Sequence, residues 1–189
     1  MCIRDSHSVG NSWANFSCNQ SRAYTKLDTV FATLVRTEDI TADGDLCKKP
    51  VTWFQGLLAF GAIGNEVDDQ NDTLSSYLTI GSKRMPLFKE ERTNMHYYRL
   101  LQAVGKNASD VHSMSISRTG YLSRSFAMGW DCEKLPPGTL AAFTGENTRS
   151  GDLLALYIEN MPNTVESVHV ICQYMTIIRL SASGVDCLD

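Results

Sequence analysis

The apolar residues of this chain occur in short stretches separated by polar, glycine- or proline-containing segments. The final long stretch, VHVICQYMTIIRL (168–180), alternates with a period of two. That period is typical of a β-strand, because successive side chains of a strand point to opposite faces of the sheet. Many short strands with regular breaks are typical of a sandwich or a barrel. We therefore predict an all-β chain that folds as an antiparallel β-sandwich of about eight strands.

Other segments support this fold class. The segment YTKLDTVFATLVRTEDI (24–40) places apolar residues first on one alternation and then on the other, which predicts a strand with a bulge or a change of face. SSYLTIG (75–81) and DLLALYI (152–158) are predicted strands, and SASGVDCLD (181–189) is predicted to be a short tail after the last strand.

One segment, PLFKEERTNMHYYRLLQAVG (86–105), has helical signals instead. Pro86 suits a first turn, the two following glutamates suit the start of a helix, and Gly105 suits its end. Leu87, Tyr98, Leu101 and Val104 approximate one helical face. We predict one helix inserted near 86–105.

The first six residues, MCIRDS, raise the question of whether they belong to the natural protein. Reverse-translated, they fit ATG TGT ATA AGA GAC AG, the adapter that a transposase inserts when DNA is fragmented for sequencing. We interpret residues 1–6 as adapter-derived, with a natural start as the alternative, and exclude them from the prediction of the fold. Residues 7–189 are then a single domain that is truncated at its N-terminus, a length that suits one core.

Bulk composition excludes several classes of protein. The formal net charge is −4, and a folded acidic surface is poorly suited to binding nucleic acid. No apolar run reaches the roughly 18 to 20 residues that span a bilayer, so we expect no membrane partner.

Without Cys2, five cysteines remain and they have no metal-binding spacing; we expect buried thiols or one incidental disulfide. Four glycosylation sequons begin at Asn15, Asn19, Asn71 and Asn107.

The motifs of catalysis are missing from the sequence. GYLSRS (120–125) lacks the glycine of a nucleophile elbow, and GAIG (61–64) lacks the lysine and hydroxyl of a phosphate-binding loop. We interpret His96, His112 and His169 as packing or surface histidines, since none has a second ligand or a nucleophile at a suitable spacing. The sequence predicts no enzyme, although Asp131, Glu133 and His112 are undirected acid–base candidates.

One acidic segment could bind a hard cation. Glu66, Asp68, Asp69 and Asp72 lie within seven residues of an expected loop. Calcium takes six to eight oxygen ligands, which carboxylates and loop carbonyls can supply. The alternative is a solvated acidic loop, since the order of residues is not that of an EF-hand. Asp39, Asp43 and Asp45 form a weaker second cluster. We predict no cofactor other than this possible calcium ion.

The order of turns, loops and strands in residues 135–180 is similar to that of a known protein family. A proline-containing turn, a short strand and a polar loop lead to Gly151-Asp152-Leu153-Leu154, and a long closing strand follows. This pattern resembles the last strands of the jelly-roll capsid (coat) proteins of small icosahedral positive-strand RNA viruses. The resemblance implies a structural subunit of the virion that assembles in the host cytoplasm and self-associates into a shell around genomic RNA. It also implies that RNA is bound by a basic N-terminal arm, which would precede His7 and is missing from this sequence.

The resemblance further implies that large side chains serve both the core and the subunit interfaces, where aromatic residues are enriched. The candidates are Trp13, Trp53, Tyr77, Tyr97, Tyr98 and Trp130. The alternative function is a secreted β-sandwich binding module, either lectin-like or similar to the tumour-necrosis-factor family. The sequons and cysteines favour that alternative.

Overall fold

The computed structural model describes residues 2–8, 15–20, 22–36, 74–104, 117, 121, 126–132, 145–148, 152–161, 165–175, 177–181 and 184–188. These residues form one helix, α1 (Thr93–Ala103), and ten strands. The strands are β1 (Cys2–Ser8), β2 (Asn15–Gln20), β3 (Leu27–Arg36), β4 (Ser75–Ile80), β5 (Lys83–Glu91), β6 (Met128–Asp131), β7 (Leu154–Glu159), β8 (Val165–Tyr174), β9 (Ile177–Ser181) and β10 (Gly184–Leu188).

The first eight strands pair in a nested, antiparallel order. β1 pairs with β8, β2 with β7, β3 with β6, and β4 with β5. Two further antiparallel pairings, β3 with β8 and β4 with β7, join these hairpins into two four-stranded sheets. The first sheet has the order β1-β8-β3-β6, and the second has the order β2-β7-β4-β5. A long hairpin rolled into two sheets is the jelly-roll form of the β-sandwich, so the predicted fold class is confirmed.

The core lies between the two sheets because both sheets direct their apolar alternation inward. Val30 and Leu34 of β3 and Val168 and Val170 of β8 are buried from the first sheet, and Leu156 of β7 is among those buried from the second. All of them belong to one buried cluster. The bulge predicted in the segment 24–40 is confirmed as register shifts of β3 against β8, between Leu27 and Thr29 and between Val35 and Arg36.

The predicted helix begins later than expected. The structure places 86–91 in the second half of β5, and α1 begins only at Thr93. The proline and the two glutamates therefore lie in a strand, because Glu90 is held inside the protein by contacts that the local sequence does not show. The predicted helical face was also wrong: the buried residues are His96, Leu100 and Ala103, and Tyr98 is exposed.

The closing strand is likewise divided. β8 ends at Tyr174, and Met175 donates a backbone hydrogen bond to the carbonyl of Lys26. β9 then pairs with β10, so the predicted tail contains a strand instead. The alternation of apolar residues in the sequence continues through the break. It follows from the pleat of each strand and does not depend on which strand is its partner.

The first strand lies on the segment that we interpret as adapter-derived. β1 runs along the outer edge of β8, from Cys2 opposite Gln173 to Ser8 opposite Ser167. Strand pairing uses backbone N–H and C=O groups, which every non-proline residue carries. This pairing therefore does not decide the origin of residues 1–6, and both that interpretation and the domain limit at His7 stay predictions.

Candidate assembly surface

One edge of the sandwich carries the unusual features of the molecule. β5 is the last strand of the second sheet and β6 is the last strand of the first. Helix α1 follows β5 and packs against β6. His96, Leu100 and Ala103 are buried at spacings of four and three, which places them on one helical face. The helix therefore lies along the edge where the two sheets end.

Strand β5 is interrupted in its middle by a large bulge. Ser76 of β4 pairs with Glu90, and Leu78 pairs with Met85. Tyr77 alone thus stands opposite four residues, Pro86 to Lys89, which we call the β5 bulge. Within it, Leu87 is 75% exposed and Phe88 is 81% exposed. Bulges bend a strand and re-aim its side chains, and here two large apolar side chains are directed into solvent.

A cavity of about 300 Å³ adjoins the bulge. Its lining has an apolar part and a charged part: Met85, Pro86, Leu87 and Trp130 on one hand, and Glu90, Arg99 and Asp131 on the other. These residues come from β5, α1 and β6, so the cavity lies in the gap between the two edge strands. An exposed apolar projection and a partly apolar cavity therefore lie side by side.

A buried ionic cluster, consisting of Glu90, His96 and Arg99, fixes the end of β5 to α1. Glu90 is 2% exposed, its Oε1 lies 3.0 Å from Arg99 Nε, and its Oε2 lies 3.5 Å from His96 Nδ1. The Arg99 N–H group is not aligned on that oxygen as a hydrogen bond, so this contact is ionic. Burial of Glu90 strengthens its attraction to Arg99, while the Arg99 side chain stays 37% exposed to water.

The ring of His96 is held on both sides. Its Nε2 lies 3.1 Å from the carbonyl oxygen of Leu74, which can only accept, so this nitrogen carries the hydrogen. Its Nδ1 lies 3.4 Å from the hydroxyl oxygen of Ser76 and 3.5 Å from Glu90 Oε2. His96 therefore connects α1 to β4 as well as to β5. This agrees with the interpretation of His96 as a packing residue.

The junction between β5 and α1 contains a strained residue. Arg92 has φ 73° and ψ 144°, close to a region that is essentially restricted to glycine. We expect Arg92→Gly to raise the free energy of unfolding by about 1 kcal/mol, because the relieved strain exceeds the added entropy of the unfolded chain. Urea denaturation measures this change. Arg92→Ala is the control: it removes the same side chain but keeps Cβ, and an equal stabilisation by alanine would contradict the explanation.

The outer face of the second sheet is held by polar and aromatic contacts. The rings of Tyr77 and Tyr157 stack with their centroids 4.7 Å apart, and the Arg84 guanidinium lies 3.9 Å from the Tyr77 centroid. Stacked rings and a cation above a ring face both stabilise such a surface. These residues connect β5 to β4 and β7. They lie near the β4–β5 turn, where Gly81 has φ +58°.

Lys89 of the bulge is fixed by an ion pair. Its Nζ lies 2.9 Å from Glu159 Oε2, and the Ser75 hydroxyl donates to the same oxygen at 3.1 Å. The hydrogen bond from Lys89 holds the pKa of Glu159 below its usual value, and Glu159 in turn raises the pKa of Lys89. Because the folded-state pKa of Glu159 is lowered, the small stability that the pair contributes is present at neutral pH and is lost as pH falls through that pKa.

We expect Lys89→Met to move the titration of the Glu159 carboxyl upward, toward the pKa of an ordinary glutamate. Carboxyl chemical shifts recorded by NMR across the acid range measure this. Lys83→Met is the matched control, because Lys83 pairs with Glu146 at 3.3 Å. If both substitutions raised the pKa of Glu159 equally, the overall charge of the surface, and not the ion pair with Lys89, would be what lowers it.

The structure separates the six aromatic candidates. Trp130 is buried, while Tyr77 and Tyr97 are half-buried and Tyr97 packs against the core. Of the described candidates, Tyr98 on α1 is the exposed one, and Trp13 and Trp53 lie outside the described residues.

The exposed apolar pair on the bulge was missed, because Leu87 and Phe88 were assigned to a helix. A proline followed directly by two large apolar residues in a polar run was the available signal.

The predicted calcium ligands Glu66, Asp68, Asp69 and Asp72 all lie outside the described residues, as does the second cluster. Within the part of the chain that the structure describes, no group of three or more His, Cys, Asp or Glu side chains could hold a metal ion. Calcium therefore stays a prediction. Over the same residues, no helix has the length and apolar character needed to cross a membrane.

The remaining predicted features lie apart from this edge or outside the description. Cys18, Cys132 and Cys172 are buried thiols, and burial raises the pKa of Cys132. His169 is buried in β8, next to Ser167 at 3.5 Å. His112 and Glu133 are not described, whereas Asp131 is exposed at the cavity.

Solved structures that share the fold include two from viral capsids. A quasi-atomic model of the PBCV-1 virus capsid aligns with 98% of this chain at a TM-score of 0.57 and 5% sequence identity. The crystal structure of PBCV-1 VP54, fitted into a cryo-EM reconstruction of the virophage Sputnik, aligns with 99% of this chain at a TM-score of 0.52 and 6% identity. In both cases the alignment covers 49% of the other chain, so this chain spans about half the length of each.

No protein-family description and no curated protein matches the sequence. At 5% and 6% identity, the two solved structures establish the architecture only. That architecture is the jelly roll, and the two alignments cover 98% and 99% of the chain.

Proposed function

We propose that this chain is a structural subunit of a virus shell and acts by self-association. The observation that carries the proposal is the nested pairing of β1–β8, which forms the same fold over 98% of the chain as the PBCV-1 capsid structure. A sandwich of two packed sheets gives a rigid body, while its connecting segments can vary without loss of the fold.

The edge described above supports the same role. A monomer gains nothing from two large apolar side chains on a bulge that are 75% and 81% exposed to water. Exposed apolar patches rimmed by polar groups mark contacts with other proteins. The charged groups around the bulge, Lys89 and Arg99, fit the polar rim that surrounds such contacts.

The finer features belong to the proposal as well. They are an icosahedral shell, a location in the virion after assembly in the host cytoplasm, and genomic RNA as the enclosed molecule. With a formal net charge of −4, the present chain is a poor ligand for RNA, so the proposal assigns RNA contact to a basic segment before His7. The proposed role is structural and requires no catalytic residue and no cofactor, and calcium binding by the acidic segment 66–72 stays a separate prediction.

The secreted binding module remains a second candidate on one observation. The sequon residues Asn15 and Asn19 of β2 are both exposed and could accept glycans. Asn71 and Asn107 lie outside the described residues. The two solved structures described above are viral capsid structures, which favours the shell over this candidate.

The test is the assembled mass of the purified chain by light scattering, with and without nuclease, once the coding sequence upstream of His7 has been recovered and joined to it. The proposal predicts megadalton particles that protect RNA from the nuclease. Megadalton particles without nucleic acid would retain the shell and reject RNA as the enclosed molecule. A glycosylated monomer or trimer would reject the shell and favour the secreted module.

A further inference from the structure

We propose that two copies of this chain join in a two-fold contact in which the Phe88 ring of each copy enters the cavity beside the β5 bulge of the other. The proposal rests on the proposed function, since it names the surface through which shell subunits would first associate. It follows from the shape, chemistry and position of the bulge and the cavity.

The cavity is large enough for an aromatic ring. Its volume is about 300 Å³. An engineered apolar cavity of roughly 150 Å³ is sufficient to hold benzene. Met85, Pro86 and Trp130 supply the apolar part of its lining. A ring inserted against such a lining gains dispersion contacts and removes apolar surface from water.

The projection matches the cavity. Phe88 is 81% exposed, and its neighbour Leu87 is 75% exposed. Lys89 is anchored to Glu159 at 2.9 Å, and Glu90 is anchored to Arg99 at 3.0 Å, so the end of the bulge is held in place. Because the backbone beside Phe88 is held in place, the ordering that binding requires is largely confined to the Phe88 side chain.

Side-chain insertion also fits the form of the strand better than edge pairing does. Between Met85 and Glu90 the ladder of β5 with β4 is interrupted. A bulged edge strand offers no continuous row of backbone groups to a strand from another molecule. At the bulge, a contact through the side chains of Leu87 and Phe88 is therefore favoured over strand pairing.

The position of the two features selects the symmetry. Leu87 belongs to the bulge and also lines the cavity, so projection and cavity share one surface patch. A patch that contains both is self-complementary, and two copies related by a two-fold axis satisfy both contacts at once. The charges agree, because Arg99 and Asp131 line the cavity with opposite signs, and a two-fold axis can bring each opposite its complement in the other copy.

The experiment compares the self-association of the full chain with that of three variants by sedimentation equilibrium. Phe88→Ser should weaken the dimer by roughly tenfold or more, and Phe88→Leu should have a smaller effect. Met175→Ser is the matched control, since Met175 is an exposed apolar residue (41%) next to Lys26 at the end of β8, in the other sheet. Circular dichroism confirms that each variant is folded.

A second measurement does not depend on any substitution. In a dimer mixed from labelled and unlabelled chains, intermolecular NOEs should connect the Phe88 ring protons of one copy with the Met85 methyl group of the other. Equal dimer affinities for Phe88→Ser and Met175→Ser, or NOEs from Phe88 to residues away from the cavity, would overturn the proposal.

The outcomes separate this inference from the function on which it rests. Shells that form equally well from the wild type and from Phe88→Ser would reject the two-fold contact and keep the shell. A dimer that Phe88→Ser abolishes, but that never grows into larger particles, would keep the contact and reject the shell. A wild-type chain that stays monomeric at all concentrations would overturn both.

Discussion

Glu90→Ala is expected to lower the free energy of unfolding by about 3 kcal/mol. The substitution removes the carboxylate that lies 3.0 Å from Arg99 Nε and 3.5 Å from His96 Nδ1, and it leaves a cation and a buried ring without their partner. Removing one member of a buried ion pair typically costs 3–5 kcal/mol. We expect the lower end because the Arg99 side chain is 37% exposed and can regain some hydration.

Urea denaturation of the purified chain measures the effect, with two comparisons. Glu91→Ala removes the neighbouring carboxylate, whose side chain is 58% exposed, and should change stability by less than about 0.5 kcal/mol. Glu90→Gln keeps the shape and loses the charge, and should lie between the other two. If Glu90→Ala and Glu91→Ala had equal effects, the buried ionic cluster would not be what holds β5 to α1.

Gly129→Leu is expected to destabilise the protein by about 1–3 kcal/mol through overpacking. Gly129 lies in β6 directly beneath α1, and a Cβ at this position would come within 3.0 Å of Ala103 Cβ and 3.3 Å of Leu100 Cα. The second distance involves backbone, so a larger side chain can be accommodated only if the helix moves away from the strand. Gly129→Ala should cause a smaller loss, because only Cβ is added.

A double-mutant cycle with Leu100→Ala identifies the cause. Leu100→Ala shortens the side chain whose Cδ1 lies 3.2 Å from the position of the added Cβ. If close packing of α1 on β6 is responsible, part of the cost of Gly129→Leu should be recovered, so that the two substitutions are not additive in urea denaturation. Strict additivity would mean that the glycine is required for some other reason.

The strands were predictable from the sequence where large apolar residues occupy alternate positions, because those positions form the face toward the core. In β8, Val168, Val170, Cys172 and Tyr174 are all buried, which is the alternation read from the sequence. The register shifts of β3 were equally visible, because its apolar residues change from one alternation to the other. These signals are local, since each depends on a single strand and the core beneath it.

The boundaries that the sequence missed depend on distant partners. Pro86 and Glu90 have the composition of a helix start, yet Glu90 lies in a strand because His96 and Arg99 hold it there. The break after Tyr174 likewise depends on where β3 begins, at Leu27. Helix and strand preferences at such positions are weak and yield to tertiary contacts.

The candidate surface was harder to predict than the fold. The β5 bulge exists only relative to β4, since it is defined by Tyr77 standing opposite four residues. The register of β5 against β4 leaves no periodic pattern in the sequence. The cavity combines residues of β5, α1 and β6 that are up to 46 positions apart in the chain, from Met85 to Asp131. The resemblance in residues 135–180 predicted a capsid fold, but not the edge through which copies would meet.

The most direct test of the central claim is cryo-electron microscopy of the purified chain after concentration. The shell proposal predicts closed particles of repeated jelly-roll subunits, with the β5 bulge of each subunit buried against a neighbour. Particles in which the bulge faces solvent would contradict the assigned contact. A field that contains only single subunits, from a sample shown to be folded, would contradict the claim that the chain builds a shell.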